Sequence, residues 1–139
     1  MFITEAILCL ALNVYHEAKN QPFIGQVAVA QVVMNRVYDE RYPNTVCEVV
    51  EQGPTYSWKP DFPIRNRCQF SWYCDGKSDV PTDSETWMES IILAFRIINF
   101  DDMDITEGSL WYHANYIDKP YWSDELTPTV VINNHIFYK

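Results

Sequence analysis

The sequence predicts an α+β fold, mainly helical, organised as one domain with a small C-terminal β-hairpin or sheet. Two observations carry this. Apolar residues recur at spacings of three and four through the first forty positions and again from Trp87 to Ile98, whereas the last ten positions hold two β-prone runs separated by two asparagines. Helices first and sheet last is the order of a segregated α+β domain, not of alternating βαβ units. With 139 residues the chain is long enough for a real core and too short for two ordinary domains, so 1–139 is read as a single unit.

The first helix is expected from Thr4, a suitable N-cap, to about Lys19, with Asn20 free to turn left-handed and Pro22 forbidding continuation. The second follows at once, its stripe being Phe23, Val27, Ala30, Met34 and Val37. Gly25, Ala28 and Ala30 there permit close approach of a neighbouring helix. Gln26, Gln31 and Asn35 are amides on this otherwise apolar helix. They have two readings, hydrogen bonding to loop backbone or orienting a functional group. A short helix is expected through Val46, Cys47, Val49 and Val50. The segment 53–81, rich in proline and without period, reads as a long functional loop containing Cys68-Gln69-Phe70-Ser71-Trp72. Thr82 and Glu85 form a capping box for a helix lined by Trp87, Ile91, Ala94, Phe95 and Ile98. After Asp101-Asp102-Met103-Asp104, a β-rich tail begins at Leu110-Trp111-Tyr112-His113. It closes with a hairpin of Thr129–Ile132 and His135–Tyr138 turning at Asn133-Asn134.

Composition narrows the function. The chain is 47% apolar and 21% charged without low-complexity tracts, which excludes disorder. Net charge is −9 and the basic residues form no run, so the footprint of a nucleic-acid binder is missing. Ala6–Leu12 is apolar but preceded by Glu5 and no basic residue, and reads as a core helix, neither signal peptide nor membrane span. Cys9, Cys47, Cys68 and Cys74 lack the spacing of a structural zinc site. Cys9 reads as a small buried hydrophobe, and Cys68 and Cys74 are positioned for a disulfide in an oxidising compartment. Trp58, Trp72, Tyr73, Trp111, Tyr112, Tyr121 and Trp122 adjoin polar residues, which suits half-apolar surfaces such as sugar rings. Core packing is the other reading, taken for Trp87 and left open for Trp72, Trp111 and Trp122.

One carboxylate stands out. Ile7, Leu10 and Val14 form a helical stripe whose next position is Glu17, so a charge continues an apolar face. Desolvation and the partial negative charge of a helix C-terminus both raise the pKa of such a carboxyl. A carboxylic acid kept protonated is what general-acid catalysis requires. From the stripe alone, a helix-end Glu reaching water or pairing with a base is the simpler reading.

The order of Tyr15-x-Glu17-Ala18, Gly25-Gln26-Val27-Ala28-Val29-Ala30-Gln31-Val32-Val33-Met34-Asn35-Arg36-Val37, Tyr42-Pro43, Thr45-Val46, Gln69-Phe70-Ser71, Trp111-Tyr112-His113, Pro120-x-Trp122 and His135–Tyr138 resembles the SleB/CwlJ-like cell-wall hydrolase family over nearly the whole chain. The resemblance implies a lysozyme-like fold, cleavage of the β-1,4 glycan of peptidoglycan as a lytic transglycosylase, and Glu17 as catalytic acid, with no second carboxyl needed. Ordinary glycosidases use two carboxyls. Asp75, Asp102, Asp104 and Asp118 are the candidates for a second, and no spacing selects one. Substrate contacts are expected from Gln26, Gln69, Ser71, Trp72, Tyr112, His113 and Trp122. No cofactor or metal is called for, and a monomer acting on peptidoglycan strands is expected.

Two departures from the family pattern are Lys19-Asn20-Gln21 and Asn134 before His135. Both turns are expected to survive because Asn tolerates left-handed backbone. The lack of a secretion signal and wall-binding module suits a compact lysis enzyme of the phage endolysin kind, made in the cytoplasm and acting on the wall after release. Two rival readings are a zinc amidase or peptidase using His113, His135 and Glu17, and a non-catalytic glycan-binding module on the same scaffold.

Overall fold

The computed structural model describes residues 2–100 and 103–139. Four α-helices run as α1 (Glu5–Ala18), α2 (Phe23–Tyr38), α3 (Val46–Val50) and α4 (Ser84–Asn99). Five strands accompany them: β1 (Thr55–Tyr56), β2 (Lys59–Pro63), β3 (Trp111–Ala114), β4 (Pro128–Ile132) and β5 (His135–Tyr138), with short 3-10 turns at Ser71–Cys74 and Tyr121–Glu125. The expected α+β class is present and the three-stranded sheet follows the last helix, but β1 and β2 come before α4, so the helices do not all precede the strands.

α1 starts where its sequence directs, since the Thr4 hydroxyl accepts a hydrogen bond from the Ile7 amide. Ile7, Leu10 and Val14 are buried against α3 and α4, and α1 packs more extensively on α4 than on any other element. Asn20 does not turn left-handed. α1 instead stops with its chain still right-handed at Lys19, a Gln21 amide bond to the Ala18 carbonyl, and Pro22.

α2 is more deeply embedded than its predicted stripe implies. Ala30 and Val33, with Val27, Met34 and Val37 partly covered, face the helical core, whereas Ala28 and Val32 face Ile132 and Phe137 of the sheet. Phe23, the first member of the predicted stripe, is exposed. The helix is therefore a central layer between helices and sheet, and small residues on both sides make that possible. Its amides serve loop backbone: Gln31 donates to the Met103 carbonyl and accepts from the Ile105 amide, and Asn35 donates to Asp104, Thr106 and the Ser109 carbonyl.

α4 begins one residue later than the expected capping box. Asp83, not Thr82, accepts from the Glu85 and Thr86 amides, and the Tyr15 hydroxyl accepts from the amides of Thr82 and Asp83. The start of α4 is thereby tied to α1. The segment 53–81 contains an antiparallel hairpin, β1–β2, that its sequence did not announce. The C-terminal sheet has the order β3-β5-β4, all antiparallel, with Tyr112 opposite Phe137 and Ile132 opposite His135. The hairpin turn is made by Asn133, at φ 52°; Asn134 does not need positive φ.

Cysteine 9 is not a free hydrophobe. It bonds Cys47, 38 residues away, because α1 and α3 lie side by side with those Cα atoms 5.2 Å apart. Cys68 and Cys74 form a second disulfide.

Candidate active site

Glu17 is the penultimate residue of α1, one turn beyond the fully buried Val14. It keeps part of its own surface accessible while protein surrounds most of its carboxyl. The apolar stripe thus holds a carboxyl in place at the rim of the core. Burial raises its pKa, and two neighbours pull the other way: a hydrogen bond from Tyr112 and the positive charge of Arg36.

Tyr112 reaches Glu17 from the sheet. β3 pairs with β5 so that Tyr112 lies over Phe137, with ring centroids 5.5 Å apart, and edge-on to His135. Phe137 is itself seated on Ala28 and Val32 of α2. This stack directs the Tyr112 hydroxyl at Glu17, where it donates to Oε1 at 3.0 Å. Burial and the adjacent carboxylate push the phenol well above its ordinary pKa, so it remains a donor throughout the physiological range.

Arg36 supplies the charge. It is buried in α2, its Nε donates to the Leu110 carbonyl at 2.7 Å, and its guanidinium lies 5.1 Å from the Tyr42 ring centroid and 5.3 Å from that of Phe70. Its Nη1 is buried with no hydrogen-bond partner among the described residues. No carboxylate pairs with it there; the ion pairs are Arg41–Asp39 and Lys119–Asp124. A buried cation of this kind stabilises negative charge nearby, and Arg36 lowers the pKa of Glu17 against the effect of burial. Sequence reading passed over Arg36, though the signal was available. Gly25, Val29, Val32 and Arg36 follow one another at spacings of four, three and four, a charge ending a buried row just as Glu17 does.

The other expected site residues separate into two groups. Ser71 and Gln69 are exposed on the loop wall, with neither side chain hydrogen-bonded among the described residues. Trp72 is not an open sugar platform, for it is buried, its Nε1 donates to Asn13 Oδ1 at 2.8 Å, and it stacks on His16. His16 in turn bonds the Asp79 carbonyl, so Asn13 and His16 lock the loop against α1. Gln26 donates to the Gln21 carbonyl and lines a groove with Lys19, Phe23, Glu89 and Ile92 whose lining does not include Glu17. His113 is buried, with Nε2 on the Tyr138 hydroxyl and Nδ1 on the Ala114 carbonyl, and Trp122 packs edge-on against both rings. These last two hold the sheet. The zinc reading needs His113 as a ligand, and both of its nitrogens are committed.

Among the proposed second carboxylates, Asp75 accepts from the Lys77 amide, and Asp104 is knotted to Asn35, Thr106 and Gly108. Asp118 is exposed, and Asp102 lies outside the described residues. What the arrangement provides is one carboxyl whose pKa burial raises, with a phenol and a cation placed to steady its anion.

The chain matches the cell wall hydrolase family over residues 20–138. That match begins three residues after Glu17, so the geometry above carries the choice of Glu17. A stretch of 44 residues is 48% identical to the spore cortex-lytic enzyme of Bacillus cereus, covering 32% of this chain and 17% of that protein. A stretch of 49 residues is 43% identical to the spore cortex-lytic enzyme of Bacillus subtilis, covering 35% and 16%. These alignments therefore span about a sixth of the relatives' own length. In three dimensions the chain is similar to the catalytic domain of the Bacillus cereus SleB protein, with TM-score 0.68, 29% identity, and coverage of 100% of this chain and 93% of that one. It is also similar to the catalytic domain of the germination-specific lytic transglycosylase SleB from Bacillus anthracis, with TM-score 0.70, 29% identity, and coverage of 99% and 97%.

Proposed function

Because this chain belongs to the cell wall hydrolase family, we propose that it degrades peptidoglycan. In this reading it cleaves the β-1,4 bond between N-acetylmuramic acid and N-acetylglucosamine as a lytic transglycosylase, with Glu17 as its one catalytic carboxyl. The observation that carries the reading is Glu17 at the end of an apolar stripe, held by the Tyr112 hydroxyl at 3.0 Å, with the charge of the buried Arg36 acting on it. The lysozyme-like fold and the similarity to a SleB catalytic domain described as a lytic transglycosylase support it. Two disulfides suit work outside a reducing cytosol.

The chemistry follows from one proton. Protonated Glu17 gives its proton to the glycosidic oxygen as the bond from muramic C1 breaks, leaving a free 4-hydroxyl on one sugar and an oxocarbenium-like centre on the other. Glu17 is now an anion, and its charge is offset by Arg36 and the Tyr112 hydroxyl. It then removes the proton of the muramic C6 hydroxyl as O6 bonds to C1, closing a 1,6-anhydro ring and regenerating the acid. No water is consumed.

The pH dependence tests these roles, read as the clearing of a peptidoglycan suspension. Activity requires protonated Glu17, so it is lost as pH rises through the Glu17 pKa. Tyr112→Phe and Arg36→Met each remove an influence that lowers that pKa, so in both variants the alkaline limb moves to higher pH. Loss of the hydrogen bond to the developing anion slows Tyr112→Phe by about ten- to a hundredfold at its optimum. Absence of any clearing by the wild type, or an unmoved limb in both variants, contradicts the assignment.

A further inference from the structure

The segment from 54 to 77 differs in character from the rest of the molecule. In a chain of net charge −9 it carries four basic residues, Lys59, Arg65, Arg67 and Lys77, against two acidic ones, Asp61 and Asp75. All four basic side chains are exposed, and so are two large rings on the same hairpin, Trp58 at 73% and Phe62 at 52%. The Lys59 ammonium sits 4.2 Å from the centroid of Phe62 and 5.9 Å from that of Trp58. Such exposure of aromatic surface is not explained by the core, which none of these residues enters.

The arm is firmly built. Its base is closed by the Ile64 amide on the Pro54 carbonyl, the Gln69 amide on the Gln52 carbonyl, the Asn66 amide on the Cys74 carbonyl and the Cys68–Cys74 disulfide. Gly53 lets the chain cross Cys68, whose Cα would stand 2.9 Å from an added Cβ. Gly76, at φ +81°, leaves space that the Arg65 guanidinium fills, its atoms 2.7–2.9 Å from where a Cβ would stand. Arg65 therefore lies with its guanidinium against Gly76 while its side chain remains exposed. Through Trp72, stacked on His16, the same segment is fixed to the helix that carries Glu17.

We propose that the arm of Trp58, Lys59, Phe62, Arg65 and Arg67 is a non-catalytic contact for the peptidoglycan strand, its rings against sugar faces and its cations against stem-peptide carboxylates. The inference rests on the function proposed above. Charge complementarity chooses the occupant: the wall polymer is anionic, the protein as a whole repels it, and the arm sets the Lys59 ammonium against two open aromatic faces with three more exposed basic side chains in the same segment.

The test is co-sedimentation with purified insoluble peptidoglycan, done in Glu17→Gln protein so that the strand stays intact. Adding Trp58→Ala, Lys59→Glu and Phe62→Ala together lowers the bound fraction on the order of tenfold and flattens its salt dependence. Far-ultraviolet circular dichroism and the thermal unfolding midpoint should match those of the parent. Phe23→Ala with Ile92→Ala, a pair of exposed apolar residues on α2 and α4, leaves binding as it was. Sedimentation of the arm variant equal to its parent, equal loss in the control pair, or loss of binding only to anionic lipid vesicles overturns the proposal. If the wild type clears the suspension while arm variants sediment normally, the arm proposal alone falls. If the wild type neither clears nor sediments, the functional reading falls with it.

Discussion

Glu17→Gln should lower peptidoglycan clearing by about 10²–10⁴-fold, the contribution of a positioned general acid. It should do so without weakening the fold. Glu17 has its pKa raised by burial, so its favourable effect on stability is complete below the ordinary carboxyl pKa and is lost as pH rises through the raised value. At neutral pH an ionised Glu17 is therefore a cost that glutamine removes, and glutamine still accepts the Tyr112 hydroxyl. Thermal unfolding at pH 4 and pH 7 checks this: the variant should gain on the wild type as pH rises. A variant that melts well below the wild type at pH 7 would mean that lost activity reflects unfolding.

Removing the Cys9–Cys47 bond should be the most damaging change to stability. The bridge closes a loop of 38 residues, for which restriction of the unfolded chain predicts about 4 kcal/mol, against about 2 kcal/mol for the six-residue loop of Cys68–Cys74. Urea unfolding of Cys9→Ser/Cys47→Ser and of Cys68→Ser/Cys74→Ser compares them directly. The first pair should lose more, and the opposite order would show that the short bridge constrains more than its own loop. Its expected effect is local, since it closes the base of the cationic arm.

Several features were legible before any coordinates because they are local. The Thr4 cap, the Ile7–Leu10–Val14 stripe and the asparagine hairpin each depend on neighbours within a few residues, and each is present. Glu17 was found by its place on that stripe. Arg36 ends a similar row, but the tiny Gly25 at its start weakens the periodic signal, and the row was read instead from Phe23, which proved exposed. Tyr112 came from family resemblance, since nothing in a strand sequence says that a phenol will cross to a helix ninety-five positions away. The Cys9–Cys47 bond is likewise a product of packing between α1 and α3. The β1–β2 hairpin escaped because β2 is exposed almost throughout, so no alternation of apolar and polar residues marks it. Trp72 showed how an aromatic beside polar residues can be core: its polar neighbour in space is Asn13, buried with it.

The central claim, one carboxyl acting first as acid and then as base, is tested most directly by the ends of the products. Purified peptidoglycan digested by the wild type, with Glu17→Gln as control, is analysed by mass spectrometry. The account predicts soluble fragments ending in 1,6-anhydro-muramic acid, absent from the control. Reducing muramic ends would contradict it by requiring an activated water, and released stem peptides would contradict it by moving the cut from the glycan to the amide bond.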